Sequence, residues 1–247
     1  MNASSIIQDA VARVADLRVQ TATRPDVQAA ASQIKALQAR RFGGTYADLL
    51  ADDVYRGAVR FFLEELYSEK DYSRRDAQFA RIAGPLDKFF PQRVVDTAVA
   101  MARLHALTEE LDHAMALAWV ASSSMQDDAA RYVAAWRTVG RALDRDVQLA
   151  TVLHVGCELE RLVRLPGLRM SLRLMRRPAH AAGLGALQAF LEAGFDTFAG
   201  LVRGRDRGAR QFLATIEGRE AHWMAQLFQL DADECAARFR HCLASAA

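Results

Sequence analysis

Little in this sequence breaks a helix: fourteen glycines and five prolines are spread over 247 residues. That scarcity excludes a sandwich of short strands and tight turns and favours long uninterrupted elements. Cysteine is scarce too. Cys157, Cys235 and Cys242 are too few, and odd in number, for a disulfide framework; reduced thiols in a cytoplasm fit them better, with Cys157 as a small core residue. The longest stretches free of Asp, Glu, Lys and Arg, residues 113–126 and 178–191, have 14 residues each, short of the roughly 20 that span a bilayer. No transmembrane segment is expected. Nor is a secretory leader, because Asp9, Arg13, Asp16 and Arg18 interrupt the first twenty residues where a signal needs an unbroken apolar stretch. A large charge of either sign is also missing. With 32 basic and 30 acidic groups the formal charge is +2, so bulk electrostatics does not call for nucleic acid or a membrane. Phosphate loops, the Rossmann fingerprint, Gly-x-Ser-x-Gly, His-Glu-x-x-His and Cys-x-x-Cys are all absent. The common nucleotide, hydrolase and redox signatures are thereby missing.

What is present is apolar and helical in period. Hydrophobic residues make up 51% of the chain and recur at spacings of three and four, while alternation with period two is nowhere sustained. The pattern predicts helices over residues 4–20, 25–43, 52–69, 73–84, 92–121, 127–165, 183–202, 206–229 and 231–245. A short basic segment, 168–177, is expected to be closed by Pro178. Pro25 and Asp26 suit a first helical turn, Ser73 with Asp76 an N-cap, and Gly43-Gly44, Gly84-Pro85 and Pro166-Gly167 are expected breaks. No linker, repeat or low-complexity stretch divides the chain. The expected fold is all-α: a single-domain helical bundle of about nine helices over residues 1–247, placed in the cytoplasm.

Residues 60–82, RFFLEELYSEKDYSRRDAQFARI, carry the densest apolar face. At about 100° per residue, Tyr55, Val59, Phe62, Leu63 and Leu66 share one side, widened by Val54, Ala58 and Phe61. Glu64 points away from it. Glu65 falls inside it and needs a partner, since a buried lone carboxylate costs several kcal/mol or takes up a proton; Arg75 and Arg81 are the nearest candidates. The string FFLEELY at positions 61–67 resembles the motif that names a family of uncharacterised bacterial proteins, the FFLEELY-motif proteins. The resemblance implies a soluble bacterial protein and carries no catalytic residue, cofactor or substrate with it.

Other ionisable side chains also fall on inward faces. On helix 92–121 the stripe Val94, Thr97, Met101, Leu104, Leu111, Met115 and Trp119 is edged by His105 and Asp112, with Glu109 just beyond, at spacings that let the three side chains touch. By the same phasing Asp146 and His154 lie among Trp136, Val139, Leu143 and Ala150, Arg161 points inward, and Glu220 lies among Phe212, Ile216, Trp223 and Leu227. Helices that each offer an inward carboxylate are the parts of a di-metal bundle. Yet the one Glu-x-x-His, Glu110 to His113, is out of register with the core. A hydrogen-bonded structural network is the leading expectation, with no metal and no cofactor. The alternative is a metal- or haem-type helical oxidoreductase using Glu65, His105, Glu109, Asp112, His154 and Glu220 as catalytic groups, all but His154 as metal ligands. His180, His222 and His241 are expected at the surface.

Between Arg161 and Leu191 no acidic residue occurs. Arg161, Arg164, Arg169, Arg173, Arg176 and Arg177 concentrate positive potential there, with Leu168, Leu172 and Met175 beside them. Aromatics are not interleaved and no recognition-helix motif is present, so nucleic acid is not the expected partner. The expected function is non-catalytic: an interaction or regulatory protein whose segment 161–177, through Arg169, Arg173, Arg176 and Arg177, meets an acidic protein.

Overall fold

A computed structural model describes residues 2–65, 72–122, 127–204 and 208–246. Among them the chain is all-α, with no strand and thirteen helices. These are α1 (Ala3–Ala22), α2 (Pro25–Thr45), α3 (Ala47–Ala51), α4 (Arg56–Glu65), α5 (Ser73–Phe89), α6 (Gln92–Ala121) and α7 (Asp128–Val139). Then follow α8 (Ala142–Leu162), α9 (Leu168–Leu174), α10 (Arg176–Ala181), α11 (Gly185–Gly204), α12 (Gly208–Gln229) and α13 (Ala232–Ala244). Leu66 and Tyr67 of the aromatic string, most of the 122–126 connection and position 206 lie outside the described residues. No described helix is long and apolar enough to cross a membrane.

Several ends are set by side chains the sequence names. Asp127 accepts from the Ala130 amide at 2.8 Å and Asp231 from those of Asp233 and Glu234, satisfying amides the helix cannot. Pro25 and Asp26 occupy the first turn of α2. Ser73 does not cap α5; Tyr72 holds that position without a side-chain hydrogen bond.

Several boundaries differ from the expected ones. The α2 helix runs through Gly43-Gly44 because Gly44 is where it meets α13, its missing Cβ leaving room for the Cys242 carbonyl. The α5 helix continues past Gly84-Pro85 to Phe89: Ala83 and Leu86 are buried with Ile7, Val95 and Ala98, and that burial offsets the hydrogen bond proline removes. Conversely, the long helix expected over 127–165 is broken at Gly140 and Arg141, both at positive φ (61° and 54°). A left-handed arginine costs about 1 kcal/mol, against which Arg141 pairs with Asp144 at 2.6 Å and Glu110 at 3.5 Å. Pro178 lies in the first turn of α10 instead of closing the basic segment, a place where its missing N–H costs nothing, so His180 is on a helix and exposed.

The thirty-residue α6 is central, packed on α1, α2, α7 and α8. On one side α2, α6, α7, α12 and α13 enclose Ile34, Met115, Tyr132, Trp136, Trp223 and Phe239. On the other, Phe62 of α4 stacks on Phe42 with centroids 5.9 Å apart and meets Phe212 edge-on at 5.5 Å. The face predicted for α4 is the buried one: Tyr55, Ala58, Val59 and Phe62 are in the core and Glu64 is exposed.

Candidate functional site

The inward carboxylates are placed by different helix pairs, and each meets its own partner. Glu65 of α4 receives Arg75 of α5 at 3.4 Å, as the sequence suggests; Arg81 instead donates to the Ala182 carbonyl. The Arg75 guanidinium lies over the rings of Tyr72 and Phe190, at 4.0 and 4.4 Å from their centroids. Burial lowers its pKa below the usual arginine value, against the opposing charge of Asp76.

His105 does not meet Glu109 or Asp112. Its Nε2 donates to Asp76 of α5 at 2.9 Å, and Arg18 of α1 reaches the same carboxylate oxygen at 2.8 Å. Burial alone would raise the Asp76 pKa, but the His105 hydrogen bond and the charges of His105, Arg18 and Arg75 outweigh it and hold the carboxyl below its ordinary value. Unfolded aspartate titrates near pH 4, roughly, so the unfolded chain binds the proton more tightly. The stability Asp76 contributes is therefore present above about pH 4 and lost as pH falls through the lower folded value. Unfolding by urea across this acid range is expected to show a flatter pH dependence for Asp76→Asn than for the wild type; equal slopes would mean that the carboxylate is not ionised in this network.

Glu109 accepts from Lys35 at 3.3 Å and Arg18 at 3.4 Å. Asp112, one turn on, is buried and accepts from the Gln38 amide at 3.0 Å. Burial pushes its carboxyl above the ordinary value, opposed by the Lys35 charge. The buried Arg145 lies with its guanidinium 3.9 Å from the Trp136 ring centroid, and its charge acts on Asp112 as well. Glu220 of α12 takes Arg41 at 2.6 Å and the Tyr46 hydroxyl at 3.0 Å.

The candidate residues thus pair off with cations and donors of neighbouring helices. Among the described residues no group of three His, Cys, Asp or Glu side chains is arranged to hold a metal ion. An open groove of about 520 Å³ between α12 and α13 is lined by His222, Gln226, Arg238 and His241 and contains none of the inward acids. His154, Asp146 and Arg161, expected inside, are all exposed. The Gly140-Arg141 break resets the phase, so a face extrapolated from Trp136 and Val139 of α7 points outward once it reaches α8.

Asp76, Arg18, Lys35 and Arg41 went unassigned in the sequence as partners of these acids. Arg41 carried a readable signal: it lies four and seven residues after Leu37 and Ile34, on the same buried face of α2. For Asp76 no comparable signal exists, because its two closest partners, Arg18 and His105, come from α1 and α6.

The arginine segment forms α9 and α10 on the surface, with Met170, Leu174 and Met175 exposed. Four of its cations are held within the fold: Arg161 by Glu158, Arg164 by Glu160 at 3.1 Å, Arg169 by Asp196 at 2.7 Å and Arg176 by Glu192. The hydrogen bond from Arg176 lowers the Glu192 pKa. Arg173 and Arg177 are exposed and make no ion pair among the described residues.

No curated protein and no solved structure matches the chain. Residues 17–234 match the family described as Domain of unknown function (DUF8198). With most of its length inside that match, the chain belongs to this family.

Proposed function

We propose that the protein acts by binding another protein, not by catalysis, with the outer face of α9 and α10 as its contact. The observation that carries this reading is Met170, Leu174 and Met175 exposed beside Arg173 and Arg177, whose charges are free of ion pairs among the described residues. Leu174 is 69% exposed. Apolar side chains flanked by cations suit an acidic partner surface with apolar residues of its own. Two short helices offer a small area, so the complex is weak and transient, with on the order of 1,000 Å² buried. In this reading the chain works as one domain over residues 1–247 in a cytoplasm, and the likeness of 60–82 to the FFLEELY-motif proteins makes it bacterial.

Capture of binding partners from a lysate of the native organism tests it. Arg173→Glu with Arg177→Glu is expected to abolish capture of acidic partners while leaving helix content unchanged. Arg169 and Arg176 are poorer choices, since reversing them also breaks their pairs with Asp196 and Glu192. Unchanged partners would remove this surface from the reading. Stoichiometric iron or manganese, or a haem absorption band, in the purified protein would replace it with the oxidoreductase alternative.

A further inference from the structure

We infer that the outward face of α8 is a self-association surface on which a second copy of this chain docks antiparallel. Leu143 is 81% exposed and Val147 54%, and they stand one turn apart on the same side as the exposed Ala150, His154 and Arg161, with exposed Leu165 just past the helix end. Every one of these positions faces away from the core. The opposite side of α8 holds the buried Arg145, Val155 and Gly156. A solvated helix face ordinarily carries charge, and two large aliphatic side chains stacked in its first turns mark a surface meant to be covered.

The distribution of charge along this face selects the occupant and its direction. Asp144 and Asp146 flank the stripe near the start of α8, and Arg161 and Arg164 flank it at the other end. A copy laid parallel would set acid against acid. Laid antiparallel about a two-fold axis beside His154, it sets Asp144 opposite Arg164, Leu143 opposite Leu165, and Val147 over the aliphatic stem of Arg161, with Asp146 one position from that guanidinium. Each contact occurs twice, as an isologous interface requires. The cations can turn to the partner without stranding the acids they now hold. Glu158 also pairs with Arg93 at 2.8 Å, and Glu160 with Arg210 at 3.3 Å. Asp146 makes no ion pair among the described residues and gains one in the dimer.

One face of a helix about 30 Å long is a small interface, so the dimer is of micromolar strength. Sedimentation equilibrium of the full chain, from low micromolar to several hundred micromolar, is expected to show a reversible monomer-dimer equilibrium. Leu143→Arg with Val147→Arg, both at the surface, should weaken the dimer roughly tenfold or more at unchanged helix content. Asp146→Arg and Arg161→Asp should each weaken it about threefold and together restore it to about twofold of wild type, because charge pairs exposed at a rim contribute little individually. A monomer throughout the range, a dimer indifferent to Leu143→Arg with Val147→Arg, or failure of the double charge exchange to restore association overturns the proposal. None of these variants touches Arg173 or Arg177, so the outcome is separable from partner capture by α9 and α10.

Discussion

Replacing Gly44 by alanine is expected to destabilise the protein by roughly 3 kcal/mol or more, at the upper end of what overpacking ordinarily costs. A methyl group at this position would overlap the Cys242 carbonyl oxygen, with the carbonyl carbon at 3.0 Å and the sulfur at 3.1 Å. Two of those three atoms are backbone of α13 and cannot rotate away. Relief requires the two helices to separate, and separation exposes Cys235, Phe239 and Leu243, which the core now encloses. Against a total stability of about 5–15 kcal/mol, that is a large fraction. Gly218→Ala in α12 is the matched control: no atom lies within 4 Å of a methyl there, and alanine should stabilise by about 0.5–1 kcal/mol through helix propensity. Urea midpoints measure both. Equal midpoints for Gly44→Ala and wild type would mean that α2 and α13 do not cross as described.

The second large effect is expected at Glu220. Its carboxylate takes Arg41 at 2.6 Å and the hydroxyl of the fully enclosed Tyr46 at 3.0 Å. Glu220→Leu leaves the buried Arg41 charge without its closest counter-ion and should cost about 3–5 kcal/mol. Removing the charge as well, in Arg41→Met with Glu220→Leu, should recover most of that loss, because a buried pair replaced by apolar groups of similar size is often close to neutral. Recovery stays incomplete by roughly 1 kcal/mol for the hydrogen bond that Tyr46 loses. A double-mutant cycle on thermal or urea unfolding reads the coupling; additive losses from the two single changes would mean that the residues do not form a pair. The same cycle separates a helix-to-helix tie from a catalytic role, since a tie is read in stability alone.

Helix existence was legible because apolar period is a property of neighbours in the chain. The α4 face could be phased from Tyr55, Val59 and Phe62 alone, and its half-buried Glu65 pointed to Arg75 because the two helices are consecutive. Legibility failed where the decisive contact came from far along the chain. Gly44 reads as a stop but serves a close crossing with a helix almost two hundred residues later. Gly140 reads as a tolerated glycine inside a helix, yet with Arg141 it breaks the backbone and turns His154 from an expected inward catalytic candidate into a surface residue. The basic stretch shows the same effect in charge. Its acid-free run ends at Leu191, and the first carboxylates beyond it, Glu192 and Asp196, are the ones that hold Arg176 and Arg169.

The position of α13 also fixes when this protein can become a finished object. Cys235, Ala236 and Phe239 wedge between α2 and α7, sealing a compartment walled by residues from as early as Val27. A ribosome adds about 5–20 residues per second, so for many seconds Val27, Ile34 and Tyr132 are already made while the wedge that covers them is not. Nascent chains should therefore engage chaperones until residue 239 has cleared the exit tunnel.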